Sequence, residues 1–242
     1  MGGGILSKPG IRLLGVSPLA AVGTTLPMAL PIVVTATVRY AREGLVAWRA
    51  VLWAAPGGIV AAVLGSWIVP KIPGDGHLLQ IATALILLGA AVRLGRDVWT
   101  APGRETLGEA GRRRSGSAVR LIAIGSSAGA LAGLLGIGGG LLLVPGFGHL
   151  TAMPLRISIP TSLVCAGIFA IPATITHALI GTIDWPIALA LSVGCVPGAR
   201  LGAGLAGWAS DRRLQLWVAI VAAIVALSYA AGETAALLDA AR

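Results

Sequence analysis

The amino-acid sequence predicts an all-α polytopic membrane protein made of two homologous helical repeats. Its 242 residues are 56% hydrophobic and 11% charged, and the mean hydropathy of +0.90 lies far outside the range of soluble globular proteins. The apolar residues form long charge-poor windows, and one membrane crossing needs about 20 such residues. Several short motifs also recur at a nearly constant spacing, which indicates an internal duplication.

Seven charge-poor windows predict seven membrane elements. Trp48 and Trp67 bracket the second window, and Trp185 and Trp208 bracket the sixth, as interfacial aromatic anchors do. Their separations correspond to roughly 29 and 35 Å at about 1.5 Å per residue, close to the thickness of a bilayer core. The windows cover residues 13–38, 50–70, 78–92, 121–155, 157–183, 185–208 and 214–232.

The basic residues lie mainly between these windows, as the positive-inside rule requires, so the net charge of +9 does not indicate nucleic-acid binding. From Arg93 to Arg120, seven arginines stand against three acidic residues, and we predict a basic cytoplasmic linker over residues 98–117. Threading the seven elements outward from this linker gives a multi-pass protein of the cytoplasmic membrane. The loop with Arg39, Arg42 and Arg49 then falls inside, and the loop with Arg212 and Arg213 falls outside.

The duplication relates residues 1–97 to residues 118–242. Spacings of 136 and then 137 residues pair the two glycine clusters, Thr24-Thr25-Leu26 with Thr161-Ser162-Leu163, Gly44 with Gly181, and Trp48 with Trp185. Four membrane elements in each unit would give the two repeats a parallel orientation. The first unit has no span before its glycine cluster, so we expect that its first helix is missing, either because translation starts upstream of Met1 or because the chain is truncated.

The glycine clusters interrupt otherwise continuous apolar sequence. Residues 121–155 are uncharged over 35 positions, enough for one crossing followed by a broken or re-entrant piece. Glycine permits the backbone angles of such a break, and Pro145 cannot donate a hydrogen bond to a continuing helix. Irregular backbone at membrane depth persists only where protein or a water-filled cavity covers it. We therefore predict a binding site at this cluster and at its repeat partner.

These motifs resemble the TauE/SafE sulfite exporter family of membrane transporters. The resemblance rests on Gly136-x-Gly138-Gly139-Gly140 with Pro145, on the two hydroxyl motifs, and on the Gly-x-Val-x-Trp that ends at Trp48, and it covers essentially the whole chain. It implies a transporter of about eight helices in two homologous halves. It further implies that the protein moves sulfite, sulfoacetate or related small sulfur-containing or organic anions across the cytoplasmic membrane.

A small anion in a membrane cavity needs hydrogen-bond donors without a large permanent charge. Backbone N–H groups at the glycine clusters and the paired hydroxyls would supply them, and we expect the two sets to meet near the membrane midplane. The alternative is that the glycines only permit close helix packing and that the hydroxyls bond their own helices. The predicted substrate-binding residues are Gly2, Gly3, Gly4, Thr24, Thr25, Gly138, Gly139, Gly140, Thr161, Ser162 and Arg200.

Arg200 is included because it is charged well inside a predicted span, although it could also reach the interface near Trp208. His149 and His177 have no acidic or cysteine neighbours at ligand spacing, so we expect no metal and no cofactor. Asp184 is predicted to be a helix N-cap. An intramembrane hydrolase is disfavoured because no nucleophile motif is present, which leaves a non-transporting membrane scaffold or assembly factor as the alternative. The sequence leaves a homo-oligomer open.

Overall fold

The computed structural model describes residues 11, 15–72, 79, 81–86, 89, 117–136, 139–151, 153–208 and 220. These residues are helical with short connections, which confirms the predicted all-α membrane class. Four of the helices are long and apolar enough to cross a membrane. The helices are α1 (Pro18–Arg42), α2 (Trp48–Ile68, continued by a 3₁₀ turn at Val69–Lys71), α3 (Ala118–Leu135), α4 (Gly140–Thr151), α5 (Leu155–Ile180) and α6 (Trp185–Trp208).

The helix boundaries follow local sequence signals. Ser17 caps α1 because its hydroxyl accepts a hydrogen bond from the Ala20 N–H at 3.3 Å, and Pro18 occupies the first helical position, where no N–H is needed. Asp184 caps α6 by accepting from the Ile187 N–H at 3.2 Å, as the sequence predicts. Two glycines with left-handed backbone follow the paired helices, Gly44 (φ +68°) after α1 and Gly181 (φ +79°) after α5.

Helices α2 and α3 run parallel and pack at very short range. Gly125, Gly129 and Gly133 recur every four residues along α3, and an added Cβ at each would overlap a backbone carbonyl oxygen of α2. The three α2 oxygens, on Ala54, Gly58 and Ala62, recur at the same interval. This is the small-residue packing by which membrane helices bring their backbones together. The other face of α2 exposes large apolar side chains, as lipid contact requires.

Helix α4 runs back alongside α3. Gly139 lies against Ala128, Gly146 against Ile124, and the Arg120 guanidinium donates to the Leu150 carbonyl at 3.4 Å. Helix α4 thus runs antiparallel to α3, back toward the start of α3. With 12 residues, α4 is about 18 Å long at 1.5 Å per residue, shorter than a bilayer core of about 30 Å.

Helices α1 and α5, which correspond in the duplication, run antiparallel. Thr24, near the start of α1, contacts Asp184 beyond the end of α5, and Thr161, near the start of α5, contacts Ala47 beyond the end of α1. The predicted parallel orientation of the repeats is therefore wrong for these helices. It counted residues 121–155 as one crossing, whereas α4 returns toward the side from which α3 started. The described helices of the second unit therefore run opposite to their equivalents in the first, so this part of the second unit is inverted.

With this inversion, five described arginines lie at one end of the helices, which we call the basic end. There α1 ends and α2, α3 and α5 begin, and α6, which starts at the opposite end, finishes there too. From the positive-inside rule, we expect the basic end to face the cytoplasm. Most of the linker, the loop after Trp208 and most of window 214–232 lie outside the described residues, as do parts of window 78–92. The arginines at the basic end are Arg39, Arg42, Arg49, Arg120 and Arg156.

The inverted orientation predicts opposite accessibility of two equivalent loop positions. In a background with Cys165→Ala and Cys195→Ala, single cysteines at Gly44 and Gly181 should react with a membrane-impermeant maleimide from opposite faces of sealed vesicles. Both positions have open space around them, so the substitutions leave packing intact. We expect Gly44→Cys to react from the cytoplasmic face and Gly181→Cys from the other. Reaction of both from one face would contradict the inversion.

Candidate anion site

The glycine segment between α3 and α4 is built around two left-handed residues. Gly136 (φ +62°) ends α3, and its N–H donates to the Ala132 carbonyl at 2.9 Å. Gly139 (φ +66°) precedes α4, and its carbonyl accepts from Leu142 and Leu143 at 3.1 and 3.2 Å. An alanine Cβ at Gly139 would lie 2.7 Å from the Ala128 carbonyl oxygen. Both the backbone angle and the space therefore require glycine.

The segment meets the hydroxyl pair of α1. Thr25 is fully buried, and its hydroxyl lies 3.0 Å from the Gly136 carbonyl oxygen and 2.9 Å from that of Val22. A Cβ at Gly136 would lie 2.9 Å from the Thr25 hydroxyl oxygen, so the two backbones approach as closely as glycine allows. The second glycine cluster thus lies beside the first hydroxyl pair.

The neighbouring threonine joins the two halves of the molecule. Thr24 is fully buried, donates to the Ala20 carbonyl at 2.6 Å and accepts from the Asp184 N–H at 3.0 Å. In the other half, the Thr161 hydroxyl accepts from the Ala47 N–H, also at 3.0 Å. Both donors are N-cap residues, and a shift of 137 residues converts one bond into the other. These two bonds are related by a twofold pseudosymmetry, as expected for inverted units.

The two hydroxyl pairs do not lie together at the midplane. Thr24 contacts the residue beyond the end of α5, whereas Thr161 lies near its start, and the 19 residues from Thr161 to Ile180 span about 28 Å. The hydroxyl pairs therefore form two separate groups, and Thr25 of the first pair contacts the glycine segment at Gly136. Since α1 and α5 are antiparallel, equivalent residues lie at opposite ends of the helix pair. Each hydroxyl pair instead contacts the chain of the other half.

The remaining predicted residues divide into described and undescribed ones. Ser162 is fully buried and donates to the Ile159 carbonyl at 2.8 Å, and Gly140 begins α4. Thr25 and Ser162 thus bond carbonyls of their own helices, the contact that the packing alternative requires. Outside the described residues lie Gly2, Gly3, Gly4 and Gly138, together with the side chain of Arg200.

Sequence reasoning missed a histidine beside this segment. His177 is fully buried near the end of α5. Its Nε2 lies 3.2 Å from the Gly133 carbonyl oxygen, and its Nδ1 lies 2.7 Å from the Thr182 hydroxyl. The available signal was an uncommon residue, a histidine in an apolar span, five positions before a threonine. The described residues contain no group of three or more candidate metal ligands.

The geometry favours recognition of an anion by dipoles. The first N–H groups of any helix lack intrahelical acceptors, and the helix dipole favours negative charge there. The start of α4 lies beside Ala128, ten residues into α3, or about 15 Å from its beginning. That depth is near the middle of a bilayer core about 30 Å thick. The Thr25 hydroxyl of α1 contacts the beginning of the same glycine segment at Gly136, and Thr24 is the preceding residue of α1.

The known proteins that the chain resembles are described as membrane transporters. The family model described as sulfite exporter TauE/SafE matches residues 1–229. Two probable membrane transporter proteins of Xylella fastidiosa, from strains 9a5c and Temecula1, are each 33% identical to the chain, over 207 and 210 residues, covering 85% of it and 77% of their own length. The probable membrane transporter protein YunE of Bacillus subtilis is 28% identical, covering 89% of the chain and 83% of itself. No solved structure matches.

Proposed function

The chain belongs to the sulfite exporter TauE/SafE family of membrane transporters, and we propose that it moves small sulfur-containing or organic anions, such as sulfite or sulfoacetate, across the cytoplasmic membrane. The anion binds where the glycine segment before α4 meets Thr24 and Thr25. The observation that carries this proposal is a helix N-terminus near mid-membrane depth, preceded by a left-handed glycine in a segment whose Gly136 carbonyl contacts the buried Thr25 hydroxyl.

This arrangement suits a ligand that must leave again. A buried arginine or lysine would hold a small oxyanion strongly, whereas N–H groups and hydroxyls bind it by directional hydrogen bonds of moderate strength. Thr25 currently directs its single proton toward carbonyl oxygens, and an arriving anion would redirect it. Arg200 and Gly138 stay in the proposal as donors from residues whose contacts are undescribed.

The inverted units supply a route for alternating access. The Thr24 and Thr161 bonds join the halves at opposite ends of α1 and α5. Transporters built from inverted repeats work largely by rocking one repeat against the other around a fixed site. In this protein, breaking the bond at one end while keeping the other opens the site to one face. The equivalent motion in the other direction opens it to the second face.

The experiment that tests this function is flux of labelled anions in proteoliposomes. Sulfite, thiosulfate and sulfoacetate are compared with a carboxylate that lacks sulfur, all with correctly inserted protein. We expect saturable flux of at least one sulfur-containing anion. Absence of flux for every anion would contradict the proposal and favour the non-transporting scaffold.

Removing the Thr25 hydroxyl should impair this flux. Thr25→Val keeps the shape but removes the donor that the arriving anion would engage, a hydrogen bond to a charged group worth about 1.5–3 kcal/mol. If part of that free energy supports anion binding, the concentration for half-maximal flux rises about tenfold, since about 1.4 kcal/mol corresponds to a factor of ten. Thr35→Val is the matched control, because the Thr35 hydroxyl lies exposed on the same helix and bonds only local carbonyls in the described contacts. Equal behaviour of the two variants would remove Thr25 from the site.

A further inference from the structure

His177 is an ionisable side chain that lies close to the proposed anion site. Its ring is fully buried and lies within hydrogen-bond distance of groups on either side. The Gly133 carbonyl can only accept, so Nε2 carries a hydrogen and donates to it. On the other side, Nδ1 faces a threonine hydroxyl that can either donate or accept. The hydrogen on Nδ1 is therefore the one that can come and go.

Both charge states of the ring fit the same heavy-atom positions. In the neutral ring, Nδ1 accepts from the Thr182 hydroxyl at 2.7 Å. In the imidazolium, Nδ1–H donates to that oxygen, and the hydroxyl turns to donate to the His177 carbonyl, which already lies 3.1 Å away. Proton uptake thus needs no heavy-atom movement in this pair, only rotation of one hydroxyl, and the anion's charge offsets the cost of a buried imidazolium. A buried group that lost its hydrogen-bond partner on changing charge would be destabilised, and here neither state loses this one.

Two short connections link this ring to the proposed anion site. Through Nε2 the ring contacts Gly133. Gly133 lies three residues before Gly136, and the Gly136 carbonyl faces Thr25. Through Nδ1 it reaches Thr182, whose backbone carbonyl touches Gly23, the residue before Thr24. Asp184, two residues further on, donates its N–H to Thr24. Movement of the glycine segment would therefore shift Gly133, and movement of α1 would shift Thr182.

We propose that His177 is a proton-binding site that couples proton movement to anion transport, an inference that rests on the proposed function. Histidine is the side chain whose ordinary charge change falls between about pH 5 and 8. An anion beside Thr24 and Thr25 favours the imidazolium by charge attraction, and the imidazolium favours the anion equally, because such coupling is reciprocal. One proton binds Nδ1 when the site faces one side and leaves to water on the other, so proton and anion travel together.

Few charged groups compete for this role among the described neighbours of the ring. The segment of α3 around Gly133 and the segment of α1 around Gly23 carry none. Asp184 is half-buried at the start of α6, and its carboxylate accepts from the Ile187 N–H. Lys71, after the end of α2, is exposed and lies over the Trp67 ring. The pH dependence should therefore be tested with Asp184→Asn as well, to separate the carboxylate from the ring.

The test uses thiosulfate, whose charge does not change between about pH 5 and 8, the range over which histidine titrates. Proteoliposomes containing a pH-sensitive dye report protons, and labelled thiosulfate reports the anion. We expect one proton per thiosulfate from the wild type. We also expect a flux that changes with pH by at most about tenfold per pH unit, the limit for one titrating group. His177→Gln keeps a donor for Gly133 but cannot bind the proton, so the proton-to-thiosulfate ratio should fall at least about tenfold and the pH profile should flatten.

A ratio and pH profile unchanged in His177→Gln would overturn the inference, because a merely structural histidine affects the amount of flux and not its proton content. If that variant does not insert, Thr182→Val serves instead, since it removes the acceptor for Nδ1–H. Thr176→Val is its matched control, losing a hydroxyl that bonds the Pro172 carbonyl of its own helix. Equal ratios in these two also contradict the inference. Thiosulfate flux without proton movement in the wild type defeats this inference alone, whereas absence of flux for all anions defeats the proposed function.

Discussion

Replacing Gly129 by alanine should destabilise the folded protein by about 1–3 kcal/mol or more, the range for overpacking in a close-packed interior. The added Cβ would overlap the backbone carbonyl oxygen of Gly58. Neither atom can rotate away, so α2 and α3 must separate. Separation also loosens the equivalent contacts at Gly125 and Gly133, one turn to either side. The measurement is the midpoint of thermal unfolding in detergent, followed by tryptophan fluorescence.

Gly194→Ala in α6 is the matched control for Gly129→Ala. Both exchange a helical glycine for alanine, but a Cβ at Gly194 meets nothing within 4 Å. Alanine is favoured over glycine in a helix by up to about 1 kcal/mol, so the control should unfold at the same or a higher temperature. Equal midpoints for the two variants would show that α2 and α3 do not pack as described.

Replacing Gly139 by alanine should reduce anion flux by about tenfold or more, equivalent to at least about 1.4 kcal/mol. Alanine is strained at φ +66°, and its Cβ would lie 2.7 Å from the Ala128 carbonyl oxygen. The strain alone costs roughly 1–2 kcal/mol. The steric contact also displaces the start of α4, where we place the anion.

Gly44→Ala separates these two effects. Gly44 has φ +68°, nearly the value at Gly139, but a Cβ there meets nothing within 4 Å. It carries the same backbone strain without displacing a neighbour, and it lies in the loop after α1. We expect Gly44→Ala to keep near-normal flux per inserted molecule. A similar loss of flux in both variants would assign the effect to strain and not to the site.

Much of the fold can be predicted from local sequence. Apolar windows predict the spans, Trp48 and Trp185 mark where α2 and α6 begin, and Gly44 and Gly181 mark the turns before them. These features succeed because helix ends and membrane interfaces select particular residues within a few positions. The break at Gly136 and Gly139 is visible for the same reason, since only glycine adopts such backbone without strain.

The orientation of the repeats cannot be predicted in this way. It depends on whether the segment after Gly139 continues across the membrane or returns along α3, and the answer lies in contacts such as Gly146 with Ile124. An error of one membrane crossing at this point reverses the predicted direction of every later helix.

The role of His177 escapes sequence reasoning for a related reason. Its partner Gly133 lies 44 residues away, on a different helix, and glycine carries no side chain to suggest an acceptor. Likewise, the spacing of Gly125, Gly129 and Gly133 indicates close packing but not which helix they approach. Partners that act through backbone carbonyls leave no sequence signal of their own.

The central claim is that the glycine segment before α4 forms the anion site with Thr24 and Thr25. Equilibrium binding of a labelled anion to purified protein tests this claim most directly. The anion is whichever the flux panel identifies, and it is measured against the wild type, Gly139→Ala and Gly44→Ala in detergent. We predict that Gly44→Ala binds as the wild type does and that Gly139→Ala binds about tenfold more weakly or worse, the change expected for about 1.4 kcal/mol. Wild-type affinity in a folded Gly139→Ala protein would contradict the claim.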